Sequence, residues 1–245
     1  MANGRAWGED VTLEPGWGQA GRAALNAIAA PETWVPAAGA LVFQIGHADR
    51  NLADWAARKT PVFGSQERAD RASYELRGAA GAIWVTSAVA APSGDDPEGW
   101  SSAKAKGLGA QTGAGFLTRE TVGFLKDSTN RTRPNGGGWS FPSAHATETA
   151  FYATLASRNI ETLQWSSTAT TASQIGLGAL TGLTAWSRLE ADQHFPSDVL
   201  AGIALGHFLG TFFTDAFFGL DNPRNAAVVV ESSRHGAFAG IRFDF

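Results

Sequence analysis

The chain has 245 residues, 44% of them hydrophobic, enough to bury a sizeable core in one large domain or two small ones. A net charge of −4 supplies no global basic field for nucleic acid or an anionic membrane, so attraction for an anionic ligand must be local. The absence of cysteine excludes disulfides and thiolate metal sites and is compatible with an oxidising compartment; the five histidines show no His-x3-His spacing.

Residues 1–17, rich in Gly, Trp and charge, read as an arm over the body, with Asp10 to Leu13 extended. They contain no apolar stretch of the signal-peptide kind. Gln19 to Ala30 is Ala-rich and ends at Pro31. Thr33 to Ile45 is an apolar helix with Pro36 in its first turn. Leu52 to Arg58 is a short amphipathic turn closed by Pro61, and Ser65 to Ala91 is a long helix, charged first and apolar later. Pro92 to Pro97 is a turn cluster. Helical patterns follow from Glu98 to Lys126, 143–158, Thr168 to Ala191 and Pro196 to Gly219. The period then changes. Ala226 to Glu231 is β-branched, 237–245 alternates, and Ser232 to Gly236 suits a hairpin turn, giving a small sheet packed on the helices with Val11 to Leu13 as a further strand.

Chemistry-bearing residues concentrate between Lys126 and Asp198. Pro196 suits a first helical turn, which places His194 at the mouth of that helix. Asp198 follows four residues later, where a carboxylate can orient an imidazole acting as nucleophile or base. Pro142-Ser143-Ala144-His145 reads as a second helix entrance, whose free N–H groups bind anions. Lys126, Arg133 and Arg188 are three cations able to converge on one anion. Glu190 and Asp192 read as a polar helix end, and Arg131 as surface or a group behind the site.

Lys-x6-Arg-Pro at 126–134, Pro-Ser-Ala-His at 142–145 and Ser-Arg-x5-His-x3-Asp at 187–198 resemble the three-part signature of the type 2 phosphatidic acid phosphatase superfamily. That superfamily also contains bacterial non-specific acid phosphatases and vanadium haloperoxidases. Ala144 stands where its second motif usually has glycine, adding a Cβ near the anion, and the spacer 135–141 is short. The resemblance implies a mainly α protein, a helical bundle of the acid phosphatase/haloperoxidase type. To this the residue pattern adds a C-terminal β-hairpin, in a single domain of arm 1–17, helical core 18–220 and hairpin 226–245.

The resemblance further implies a metal-independent phosphomonoesterase acting through a phosphohistidine on a lipid, isoprenoid or small soluble phosphate. His194 would be the nucleophile, oriented by Asp198, and His145 the acid and then base. Lys126, Arg133, Arg188, the Ser143 hydroxyl and the 143–145 backbone, Ala144 included, would hold the phosphoryl group. No cofactor is expected, and vanadate should inhibit. The alternatives are a vanadate-dependent haloperoxidase, with vanadate as cofactor, a non-catalytic phosphate-binding module, and a membrane-embedded lipid phosphatase. No clean span of about 20 apolar residues is found, since Val199 to Leu220 carries His207 and Asp215. The expectation is a soluble protein without nucleic-acid partners, periplasmic or secreted. Peripheral membrane contact is left open by Trp7, Trp17, Trp100 and Trp139, although such tryptophans more often pack on their own domain.

Overall fold

The computed structural model describes residues 11–93, 97–218, 225–233 and 236–244, the last two as backbone. Trp7, residues 94–96 of the turn cluster and Arg234-His235 of the hairpin turn lie outside them. Eight helices occur among the described residues: α1 Trp17–Ala29, α2 Pro31–Phe43, α3 Ala48–Lys59, α4 Gln66–Ala90, α5 Pro97–Thr129, α6 Ala144–Glu161, α7 Ser167–Glu190 and α8 Pro196–Phe218. Strands β1 Asn225–Ser233 and β2 Gly236–Asp244 pair antiparallel, with Asn225 opposite Asp244 and Ser233 opposite Gly236. Val11 to Leu13 does not join them: the Thr12 N–H donates to the Phe217 carbonyl (2.9 Å), and Val11 packs on Ala88, Ala91 and Phe218.

Local chemistry sets the helix ends. The Ser65 and Ser166 hydroxyls accept the N–H groups of Arg68 and Ala169, each at 3.2 Å, starting α4 and α7. Pro31 and Pro196 occupy first-turn positions of α2 and α8, where a missing N–H costs nothing. So Pro31 opens α2 rather than merely ending α1. The buried Lys104 ammonium donates to the carbonyls of Ala88 and Ala91, which satisfies the C-terminus of α4.

The core is built largely from small residues, so helices approach closely. A cluster of Ala56, Ala146, Ala185, Leu189 and Val199 joins α3, α6, α7 and α8 below the chemistry-bearing residues. Helices α6 and α8 run parallel, in contact from end to end. Gly202 faces Ser143 and Ala146, Gly206 faces Thr147 and Ala150, Gly210 faces Thr154, and Arg158 pairs with Asp215 at 2.6 Å. A Cβ on Gly206 would collide with the Thr147 carbonyl, and one on Gly202 would lie 2.8 Å from the Ser143 carbonyl. These glycines thus set the α6–α8 separation. Both helix N-termini arrive at the same end of the fold.

Candidate active site

His194 stands just before α8 and is almost wholly buried. Its Nδ1 is turned toward Asp198 Oδ2 at 3.7 Å, an ion-pair distance too long for a hydrogen bond. Nδ1 has no hydrogen-bond partner among the described residues. Asp198 is fully buried in the first turn of α8. Its Oδ2 accepts the Phe195 N–H (2.8 Å), and its Oδ1 accepts from Arg131 Nη1 (2.7 Å). Burial depresses the His194 pKa to about 4; Asp198 opposes this, while Arg188 and Lys126 reinforce it.

The α6 entrance lies beside this pair, because the Ser143 N–H donates to the Asp198 carbonyl at 3.0 Å. That bond corrects the expectation that the whole 143–145 backbone faces an anion. The first-turn donors without a partner among the described residues are Ala144 and His145. Ser143 is fully buried as the α6 N-cap, its hydroxyl accepting from the Ala146 N–H at 3.5 Å. Accepting there leaves the Ser143 hydroxyl hydrogen available for the donor role the sequence suggested. His145 packs edge-on against Tyr74 (4.5 Å, 87°), and its buried Nε2 has no hydrogen-bond partner among the described residues. Burial first, then the charges of Arg188 and Arg77, depress its pKa to about 3.

The three cations come from three segments and each is held. Lys126, in the last turn of α5, donates to the carbonyls of Trp139 (2.9 Å) and Ser140 (3.3 Å), leaving one of its three ammonium hydrogens. Burial and then Arg133 lower its pKa to about 8. Arg133 donates to Gln193 Oε1 (2.5 Å) and the Trp139 carbonyl (3.3 Å). The loop carrying it doubles back through Gly136 and Gly138, both at positive φ, so that Thr132 pairs with Trp139. Arg188, at the end of α7, is buried; its Nη1 donates to Asp70 (2.6 Å) and Ser73 (2.7 Å) on α4, while its buried Nε has no hydrogen-bond partner among the described residues. Lys126, Arg133 and Arg188 lie within one another's fields, Lys126 and Arg188 also within that of His194, and Arg133 and Arg188 within that of His145. The arrangement can therefore hold a compact anion among cations beside two neutral imidazoles.

One expectation near the site changes. Glu190 is not a solvated helix end: it is fully buried and accepts the N–H groups of Val62 (2.8 Å) and Phe63 (2.9 Å) and the Trp186 indole N–H (2.6 Å). It therefore fixes the α3–α4 turn against α7. Arg131 takes the second of its two expected placements, behind the site, where it bridges Asp198 and Asp49. Asp192, by contrast, sits in a left-handed turn after α7, as a helix end should.

Two cavities lie outside this cluster. One, about 390 Å³, is lined by Phe43, His47, Asp49, Arg50, Arg131 and Phe195. Another, about 810 Å³, runs between α2, α6, α7 and α8 from Leu200 to Arg158. The second is the larger, yet it contains none of the motif residues, and chemistry assigns the site to the polar cluster. Among the described residues, α8 alone is long and apolar enough to cross a membrane, with a mean hydropathy of 1.4 and half of its length buried.

Residues 120–220 match the PAP2 superfamily. The fold resembles the crystal structure described as the first transmembrane PAP2 type phosphatidylglycerolphosphate phosphatase from Bacillus subtilis. The TM-score is 0.56 and the identity 20%, over 78% of this chain and 95% of that one. At that identity the likeness is one of fold. No curated protein matches the sequence.

Proposed function

We propose, from the match of residues 120–220 to the PAP2 superfamily, that this chain is a metal-independent phosphomonoesterase working through a phosphohistidine. The observation that carries the reading is the pairing of buried, neutral His194 with Asp198 inside a ring of nitrogen cations. With Nδ1 toward Asp198, Nε2 is the nitrogen left for attack. The Nε2–P bond forms as the P–O ester bond breaks, and the Asp198 carboxylate stabilises the imidazolium that results. Lys126, Arg133, Arg188 and the N–H groups of Ala144 and His145 neutralise the phosphoryl oxygens, where charge gathers in such transition states. Water then attacks phosphorus, the N–P bond breaks and orthophosphate leaves.

His145 is the acid for the leaving oxygen and the base for water. At a pKa of about 3 in the empty site it carries no proton near neutrality. A bound phosphate offsets the charges of Arg188 and Arg133 that depress it, so the proton enters with a monoanionic substrate. The substrate class we favour is a lipid phosphate. The structural relative's title names a phosphatidylglycerolphosphate phosphatase, and this chain leaves many large apolar side chains exposed. A periplasmic placement accords with the lack of cysteine.

The test is turnover of lipid and soluble phosphomonoesters by wild type and His194→Ala, with acid-labile, base-stable phosphoenzyme trapped from the wild type. His194→Ala should lose all turnover while still binding orthophosphate. Residual activity within about tenfold of wild type, or about 1.4 kcal/mol in barrier, would refute the nucleophile.

A further inference from the structure

Behind Asp198 lies a second layer of charge that the reaction does not touch. The Arg131 guanidinium forks between two carboxylates, Nη1 to Asp198 Oδ1 at 2.7 Å and Nη2 to Asp49 Oδ2 at 2.5 Å. Its plane lies over the Phe195 ring, 4.2 Å from the centroid. Asp49 on α3 also accepts the Ser197 N–H (2.8 Å) and hydroxyl (2.5 Å), so it holds the first turn of α8. The Ser197 hydroxyl accepts from Arg131 Nη1 at 2.7 Å as well. Asp198 is therefore gripped from one side by Arg131 and from the other by the Phe195 N–H.

We propose that Arg131 and Asp49 are positioning residues for the reaction: a clamp that aims Asp198 at His194 and offsets its charge. The proposal rests on the phosphohistidine reading. An uncompensated carboxylate 3.7 Å from a buried imidazole favours the imidazolium, which cannot attack phosphorus. A carboxylate shared with a guanidinium retains enough charge to steady the imidazolium formed during attack without creating one beforehand. A lysine could not hold both carboxylates in one plane, because the fork geometry belongs to arginine. The charged and titratable groups facing His194 are Asp198 on α8, Arg188 on α7, Lys126 on α5 and His145 on α6. Removing Arg131 alters the balance through Asp198 and leaves the phosphate-holding cations in place.

The geometry also supplies an unusual control. The 390 Å³ cavity is lined by both Arg131 and Asp49, so Arg131→Ala enlarges it beside the carboxylates that the guanidinium held. Added guanidinium can enter there.

The experiment measures kcat, KM and the pH profile for Arg131→Gln, Arg131→Lys, Asp49→Asn and Arg131→Ala, with wild type and His194→Ala alongside. Arg131→Gln should lower kcat by about 10–100-fold, as for other supporting-shell partners, with KM changed by no more than about twofold. Its acid limb should move to higher pH, because Asp198 now favours protonated His194. Arg131→Lys should recover part of kcat. Guanidinium at tens of millimolar should rescue Arg131→Ala better than methylammonium does. If Arg131→Gln does not fold, Arg131→Lys and Asp49→Asn carry the same expectations in weaker form. Unchanged kcat and pH profile would overturn the clamp. So would a KM rise at constant kcat, or a kcat loss that follows thermal stability with the acid limb unmoved and no rescue. A wild type without turnover would refute the phosphatase reading and the clamp with it; an active wild type with indifferent Arg131 variants refutes the clamp alone.

Discussion

His145 and His194 are both kept neutral first by burial and then by cations, while Lys126 is pushed toward losing its proton by the same two causes. These shifts have opposite consequences for a nucleophile and for an anion holder. As pH rises through about 4, His194 loses its proton and becomes able to attack. As pH rises further through about 8, Lys126 loses its charge and the site holds phosphate less well. We predict a bell-shaped kcat/KM profile, corrected for substrate ionisation, with limbs near those two values. Lys126→Arg should push the alkaline limb out of range; an alkaline limb left in place would remove Lys126 from the phosphate site. The motif residues were legible in the sequence because each motif is contiguous and its spacing is local. Asp49, Asp70 and Ser73 were not, since they reach Arg131, Ser197 and Arg188 from helices far away in sequence. Glu190 was misread for the same reason: its partners Val62 and Phe63 are 128 and 127 residues distant.

At the scale of elements, α6 delivers His145 and α8 delivers Asp198, with His194 just before it, so the α6–α8 separation governs the spacing of the two imidazoles. That separation is set by Gly202, Gly206 and Gly210, not by adjustable side chains. Their four-residue spacing was present in the sequence as a small-residue stripe, and only the contact with α6 gives it meaning. Gly206→Ala must displace the Thr147 carbonyl, and overpacking of this kind costs about 1–3 kcal/mol. We predict a lower melting temperature together with a fall in kcat, since pushing α6 away carries His145 with it. Gly178→Ala on α7, where an added Cβ meets nothing within 4 Å, is the control and should change neither. Loss of stability at Gly206→Ala with full kcat would show that the histidine spacing is insensitive to this contact. Helix existence was largely readable from period and punctuation, and the ends of α4, α7 and α8 fall within a residue of where these signals put them. The turn expected at Leu52 to Arg58 is a full helix, Ala48–Lys59, because burial of Ala53, Ala56 and Ala57 outweighs its weak pattern.

For the whole molecule, the sequence suggested a soluble body, and the surface is less polar than that reading implies. Trp17 is 94% exposed rather than packed on its own domain, Leu41 and Ile45 at the end of α2 are 72% and 73% exposed, and Phe124 on α5 is 70% exposed. Composition could not locate these groups, because which face of an Ala-rich helix is covered depends on its neighbours. Their exposure favours contact with lipid over dispersal in water. The chain should co-float with phospholipid vesicles on a density gradient. Release by alkaline carbonate would indicate a peripheral association, and retention an integral one. Recovery of the chain at the bottom of the gradient, away from vesicles, would remove membrane contact.

The parallel course of α6 and α8 has an electrostatic consequence. Side-by-side helices with the same polarity bring two partial positive ends together, each worth roughly half an elementary charge, at a cost in repulsion. Asp49 and Asp198 neutralise the α8 end from within the protein. Among the described residues the α6 end has no acidic side chain in its first turn and no partner for the Ala144 and His145 N–H groups, and Arg188 and Arg133 lie close by. Asp70 offsets Arg188 in part, and a bound anion would offset the rest of the positive potential at this end. Orthophosphate should therefore act as a folding ligand as well as a product, stabilising the native state by about 2.7 kcal/mol at a hundred times its Kd. Thermal melts across a phosphate series at constant ionic strength measure this directly. A melting temperature that ignores phosphate while chloride is exchanged for it would mean that this end is already balanced.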